Sequence, residues 1–413
     1  MTDVTFRTCC IAGGGPAGVM LGFLLARAGV SVTVLEKHKD FFRDFRGDTI
    51  HPSTLQLMHE LGLLDEFLQV RHDEIRNLRL QIGDTEVHFA DFTHLPTACK
   101  FVALMPQWDF LDFLSEQGRR CQGFDLRMET EATDLIVEGD RVVGLRALAQ
   151  GQPVEFRADL VVGADGRHSV VRERAGFQVE NLGAPMDVLW MRMSRQPSDP
   201  EQTGGTVNYG HMMVTLNRND YWQCAYVIRK GGYDELHARG LDAFKADIVR
   251  LTPFLADRLQ ELKDWDDIKL LTVAVDRLHK WWRPGLLCIG DAAHAMSPVG
   301  GVGVNLAVQD AVAAANILAT PLREGRLTTD HLDQVQKRRT FPMKVIQQMQ
   351  LTVQERLIDK ILDAQKPMKA PWVMRLFNTF PFLRRIPARI VGVGVRPEHI
   401  HTAPHPLTPA AAQ

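Results

Sequence analysis

Residues 7–12, RTCCIA, form an apolar run that passes directly into GGGPAG at 13–18 and then into VMLGFLLARAG, whose apolar residues recur with helical period until Gly29. A strand, a glycine-rich turn and a helix in that order leave few folds open. Gly13 permits the tight turn, Gly15 lets a phosphate approach the backbone, and Gly18 lets helix and strand pack closely, with Ala17 in the same turn. The helix N-terminus then faces the phosphates. A second strand, VSVTVLE, ends at Glu36, from which a carboxylate can accept from the ribose hydroxyls of an adenosine. The unit predicts a dinucleotide cofactor, NAD or FAD.

A second motif separates these two. In LLCIGDAAHAMSPVGGVGVN, residues 286–305, Asp291 follows a buried strand, where it can accept from the hydroxyls of a ribityl chain, which nicotinamide cofactors lack. The loop after it, with Gly301, Val302, Gly303, Val304 and Asn305, opens onto a helix whose backbone N–H groups and dipole can stabilise negative charge on a reduced flavin. A third motif, GADGRHSVVR at 163–172, sets Asp165-Gly166 at a strand end before a basic helix start; alone it reads as an N-capped helix.

Together, GGGPAG with Glu36, GADGRHSVVR and GDAAHAMSPVGGVGVN resemble, in order and spacing, the three signatures of the single-component aromatic-ring flavoprotein monooxygenases, the para-hydroxybenzoate hydroxylase-like family. The resemblance covers about residues 7–315. It implies FAD as cofactor, NAD(P)H as reductant, capture of dioxygen as a flavin hydroperoxide, and transfer of one oxygen to an electron-rich ring. It also implies that Asp165 and Gly166 support the FAD pyrophosphate region and NAD(P)H, that Asp291 holds the ribityl chain, that Pro298 lies near the reacting flavin edge, and that Arg46 and Gln107 add flavin contacts. One departure is Val302, where glutamine or lysine is common and a side-chain donor is lost.

The expected class is α/β. A Rossmann-like FAD-binding domain (1–73, 105–180, 280–326) is interleaved with a β-sheet substrate domain (74–104, 181–279), and a helical region follows (327–413). Strands are expected at 76–82, 85–92 and 99–104, and a meander over 132–163 turning at Glu138-Gly139-Asp140. A long helix is expected near 328–365. On the substrate-domain strands, Trp190, Arg192, Tyr221 and Trp222 are candidates to line an aromatic pocket, while Tyr209 and His211 are candidates to polarise a phenol or take its proton. His294 reads as structural.

A formal net charge of -2 gives no footprint for nucleic acid. The six cysteines lack metal-ligand spacing and read as reduced core thiols, and no metal site is expected. With the glycine-rich turn beginning at Gly13 and no long uninterrupted apolar run, a cytoplasmic protein without a spanning helix is expected, acting on a small aromatic molecule with dioxygen as monomer or homodimer. The tail at 372–396 mixes apolar residues with Arg375, Arg384, Arg385, Arg389 and Arg396; a docked helix with a solvated face is preferred there over contact with an anionic membrane. A halogenase is disfavoured, since only Trp281-Trp282 stands where a WxWxIP-like segment would be expected. A reductase of the same fold, or a flavoprotein that sequesters an aromatic compound, remains an alternative.

Overall fold

The computed structural model describes residues 3–42, 49–200, 203–364 and 366–405. Strand Asp3–Ala12 lies inside an eight-stranded sheet, paired in parallel with Gln152–Gly163 on one side and Val32–Leu35 on the other. Leu286–Cys288 extends it past Gln152–Gly163, and Phe124–Arg127 extends it past Val32–Leu35. Parallel strands covered on both faces are apolar throughout rather than alternating. Cys9, Cys10, Ile11, Val161, Val162 and Leu287 accordingly have no exposure at all. The edge strand Phe124–Arg127 escapes the sequence reading because its alternation, FDLR, spans only four residues.

Helix Pro16–Arg27 starts with Pro16, whose missing N–H would have been an orphan in any case. It lies tight on the sheet: a Cβ at Gly22 would come within 2.6 Å of Val34 Cγ2. The meander forms as expected, with Thr130–Glu138, Arg141–Ala149 and Gln152–Gly163 antiparallel. Gly139 takes φ +62° at its first turn.

A second, seven-stranded sheet runs in the order Lys269–Leu271, Met186–Ser194, Tyr221–Arg229, His211–Asn217, Gly204–Asn208, Asn77–Ile82, Thr85–Asp91. The early hairpin 77–91 joins it through parallel pairing of Leu80–Ile82 with Gly205–Val207. Helix Leu241–Leu251 and the 3-10 segment Pro253–Glu261 cover one face, burying Met191, Met193, Trp222, Cys224 and Tyr226 against Phe244, Ile248 and Leu255. Val102–Leu104, expected among these strands, instead pairs with Thr49–Ile50 and Asp73–Ile75 in a small sheet of its own.

Helix Gly303–Arg323 packs between the first helix and helix Thr329–Val353. Residues 299–323 are long and apolar enough to cross a bilayer, but 83% of the most apolar window is buried inside the protein. The long helix expected to 365 is α-helical only to Val353; Gln354–Ile358 widens into a π-helical turn before Asp359–Leu362. Below the sheet, buried Asp310 accepts from Arg339 Nε at 2.9 Å and lies 2.6 Å from His294 Nε2, and Arg339 Nη1 reaches Glu398 at 3.1 Å. The structural reading of His294 agrees with this placement. Beyond Glu398 the chain returns to its start: His405 N donates to Arg27 O at 2.8 Å, and Arg27 Nη1 donates to Thr402 O at 2.8 Å. All six cysteines are buried, and none is in a disulfide among the described residues.

Candidate flavin site

The three glycine-containing motifs, distant in sequence, meet at the ends of the parallel strands. Gly13 takes φ +105°, and a Cβ there would stand 2.3 Å from Ala164 O, so GADG abuts the first turn. A Cβ at Gly18 would fall 1.9 Å from Gly13 O. Ile289 N donates to Gly163 O at 2.9 Å, and a Cβ at Gly290 would meet that of Ala17 at 3.1 Å, which docks GDAAH on the same turn. Gly13, Ala17 and Gly18 are therefore used up in packing. Gly15 is not: nothing lies within 4 Å of where its Cβ would be, and the helix it precedes has no side-chain cap. Orphan N–H groups at a helix end require an acceptor, and here they open onto unfilled space beside Gly15. Glu36 borders that space, its carboxylate accepting from Gly14 N at 3.1 Å and His38 N at 3.0 Å. These residues fit the pyrophosphate and ribose of FAD.

Asp165 sits differently from the expectation. Its carboxylate accepts from Ser169 Oγ at 2.5 Å and Val171 N at 3.1 Å, so it points inward and braces the short helix Val170–Arg174. Burial pushes its pKa up, with the Ser169 and Val171 hydrogen bonds opposing. Gly166, at φ +84° with open space above it, is the part of the motif that faces outward. Asp291 is half-buried, and Arg167 Nη2 approaches it at 3.4 Å. Arg167 was missed in the sequence, although it directly follows Asp165-Gly166.

The Pro298 loop is built by its neighbours. Gly300 and Gly301 take φ +79° and +61°, a left-handed pair open to glycine, and Thr49 Oγ1 donates to Gly301 O at 2.9 Å. Asn305 donates to Thr49 O at 3.0 Å and accepts from His51 N and Thr54 Oγ1, each at 2.8 Å. Its buried side chain is thus committed to holding the loop, which corrects any reading of it as a side-chain ligand of the flavin. Helix Gly303–Arg323 begins without a side-chain cap, so the backbone of Val302, Gly303 and Val304 can offer N–H groups without help from a side chain at 302, whereas Gly301 N donates to Pro298 O at 3.0 Å and closes the loop.

Three buried glutamines on the long helix and the π-helical turn that follows it fasten the loop and the segment leading into it. Gln350 Nε2 donates to Ser297 O at 2.9 Å and Val299 O at 2.8 Å, Gln354 Nε2 donates to Ser297 Oγ at 2.5 Å, and Gln347 Nε2 donates to Asp276 O at 2.8 Å. Spacings of three and four put 347, 350 and 354 on one helix face, a signal present in the sequence and overlooked. The π-helical turn begins at Gln354, a position where such bulges often mark functional sites.

His51, beside Asn305, is buried and its Nδ1–H donates to Val391 O at 2.8 Å. Burial lowers its pKa to about 4. A folded pKa below the unfolded one means that stability is full above the unfolded value near 6.5 and is lost as pH falls through 4. Acidification across that window should cost about 3 kcal/mol through this residue. Urea melts of wild type and His51→Gln measured from pH 7 to 4 should show the slope reduced in the variant.

The seven-stranded sheet has two faces, and the Pro298 loop meets only one. Val299 packs with Met186, Val227 and Met212. Alternation puts Trp190, Arg192 and Tyr221 on that same face. Arg192 lies over the Tyr221 ring at 3.8 Å, and both line a cavity of about 270 Å³ with Phe42, Trp108 and Gln223. Gln107 opens the helix whose next residue is Trp108. Trp222 faces the other way: it is fully buried under Phe254, its Nε1 donating to Asp199 at 2.8 Å. His211 also lies on that far face, 2.5 Å from the Tyr226 hydroxyl and 3.7 Å from Asp247. Tyr209 occupies the tight hairpin turn at φ +48°, pointing to solvent. The sheet therefore separates Trp222 and His211 from the loop, and the turn removes Tyr209, which corrects all three assignments. Arg46 lies outside the described residues. Trp281 is buried against His294, and Trp282 Nε1 donates to Asp333 at 3.3 Å, so the tandem tryptophans serve packing.

A sheet with a parallel core, an uncapped glycine turn at its strand ends, a half-buried aspartate beside it and a glycine loop under a second sheet fit a flavoprotein oxidoreductase. The family model for the FAD binding domain matches residues 7–349. The 6-methylpretetramide 4-monooxygenase of Streptomyces rimosus is 32% identical over 391 residues, covering 93% of this chain and 93% of that protein. Among solved structures, a probable FAD-dependent monooxygenase from Pseudomonas aeruginosa superposes with TM-score 0.73 at 23% identity, covering 87% of this chain and 97% of that one. The p-nitrophenol 4-monooxygenase of Pseudomonas putida superposes with TM-score 0.71 at 19% identity, covering 95% and 96%. The chain belongs to the FAD-binding family of para-hydroxybenzoate hydroxylase-like aromatic monooxygenases. It is an FAD-dependent monooxygenase acting on a small molecule.

Proposed function

We propose that the protein uses NAD(P)H and dioxygen to hydroxylate an aromatic or phenol-like small molecule, a reading supported by its likeness to the 6-methylpretetramide 4-monooxygenase of Streptomyces rimosus. The observation that carries this reading is the packing of Val299 against the sheet face that bears Trp190, Arg192 and Tyr221, which puts the loop expected under the flavin beside an aromatic-lined wall. FAD, when bound, supplies the activation of dioxygen and the delivery of one oxygen atom to an electron-rich ring. The chain holds that cofactor through Gly15, Glu36, Gly166 and Asp291 and the backbone of 302–304, with Arg46 and Gln107 as further contacts. Pro298 and Val299 exclude water at the reacting edge, and Arg192, stacked on Tyr221, orients an anionic or enolic oxygen of the substrate. The flavin-holding segments are 1–73, 105–180 and 280–326; residues 74–104 and 181–279 supply the wall, and 327–413 buttress both, in a cytoplasmic enzyme.

Oxygen and NAD(P)H consumption by the yellow protein, measured across phenols, aromatic acids and polyketide aromatics with product masses, tests this reading. Substrate-stimulated consumption with one oxygen gained supports it; flavin reduction that yields only peroxide with every compound overturns it in favour of a reductase or a sequestering protein. Arg192→Met is expected to raise KM for the substrate about tenfold, the loss of one charged hydrogen bond, while flavin content stays that of the wild type.

A further inference from the structure

Between Asp363 and Glu398 the chain carries seven basic residues and no acidic one, within a protein of net charge -2. This segment is firmly seated. Asn378 closes the edge of strand Thr85–Asp91, accepting from His88 N at 3.1 Å and donating to Glu86 O at 2.7 Å. Met374 and Phe377 pack beneath helix Trp372–Thr379, and Ala388 is buried beneath helix Arg385–Gly392.

The outward side of the same segment is apolar. Trp372 is 74% exposed, Val373 49%, Phe380 45%, Phe382 61% and Ile386 58%. Five of the twelve large apolar side chains exposed in the described protein thus fall within residues 372–386. The Phe380 and Phe382 rings stand 6.0 Å apart. In the same segment, Arg375, Arg385 and Arg389 are exposed and form no ion pair among the described residues. A contiguous exposed apolar patch marks an interaction surface. Exposed arginines without ion-pair partners, interspersed along the segment with exposed tryptophan and phenylalanine, select a surface that is both negative and penetrable by apolar side chains.

We propose that residues 366–396 dock the enzyme on an anionic lipid surface, with Trp372, Phe380, Phe382 and Ile386 entering the headgroup boundary and the arginines against lipid phosphates. Neither signal suffices alone, since stable peripheral binding takes an apolar anchor plus a basic patch. The sheet-edge contacts of Asn378 fix the angle at which the patch is presented.

Co-sedimentation of the full-length holoenzyme with phosphatidylcholine vesicles, with and without phosphatidylglycerol, tests the proposal. Binding is expected only with phosphatidylglycerol and should weaken as salt is added. Arg385→Gln with Arg389→Gln should weaken it roughly 25-fold, about 1 kcal/mol per charge. Trp372→Ser with Phe382→Ser should abolish it, and flavin content should stay unchanged in both variants. The proposal is overturned if anionic vesicles fail to bind the enzyme at low salt, or if neither pair of substitutions alters binding. It is equally overturned if the exposed apolar residues instead hold a second copy, seen as a dimer in size-exclusion chromatography that Trp372→Ser with Phe382→Ser dissolves while no variant binds lipid.

Discussion

Gly15→Val should purify as a folded but colourless protein. Its backbone at φ -77° suits any residue, and the added side chain enters a space where no protein atom lies within 4 Å. The fold therefore bears no clash, and thermal unfolding of the apo form should match the wild type closely. The same space is where the pyrophosphate would meet the uncapped helix, so FAD affinity is expected to fall on the order of a hundredfold, about 2.7 kcal/mol. Gly18→Ala makes the contrast: its Cβ would sit 1.9 Å from Gly13 O, and the apo fold itself should fail. Flavin absorbance per protein, read with apo-protein melting, separates the two outcomes. A Gly15→Val protein that retains full flavin would show that the phosphates lie elsewhere.

Arg339→Met is expected to cost about 3–5 kcal/mol of stability, because it strands the charge of Asp310 in a fully buried site. In the wild type, burial pushes the Asp310 carboxyl up, but His294 and Arg339 outweigh it and hold the pKa below the usual carboxylate range. A lowered folded pKa means that this contribution is present above about pH 4 and disappears as pH falls through the folded value. Without Arg339 the carboxyl rises, so the acid loss through this group shrinks and the stability gap between variant and wild type should narrow as pH falls. Chemical denaturation followed from pH 8 to pH 3 checks both the size of the loss and the direction of the shift.

The flavin-binding half of the molecule was legible because its signals are local. A strand, a turn and a helix compressed into residues 7–29 state their own geometry, and Asp291 and the 300–305 loop repeat that statement elsewhere. What the sequence concealed are relations between distant segments. Asn305 reads as part of a glycine loop, yet its side chain is spent on Thr49, His51 and Thr54. Asp165 reads as an outward acid and turns inward to Ser169. On the second sheet, alternation puts Trp190 and Arg192 on one face, but nothing local tells which face a helix will cover. Helix Leu241–Leu251 chose the face of Trp222 and His211, and that choice divides pocket from core. Short strands such as Phe124–Arg127 carry too few residues to reveal a period.

The return of the chain to its own beginning has a consequence for synthesis. Arg27, at the end of the first helix, is tied to Thr402, 375 positions later, and Arg339 reaches Glu398 only when that same return has been made. A nascent chain can assemble the glycine turn early, but the buried salt network beneath it stays incomplete until residues near 400 have emerged. Folding of this enzyme is then closed late, from the far end, and early capture of flavin on the ribosome would find a cradle not yet locked.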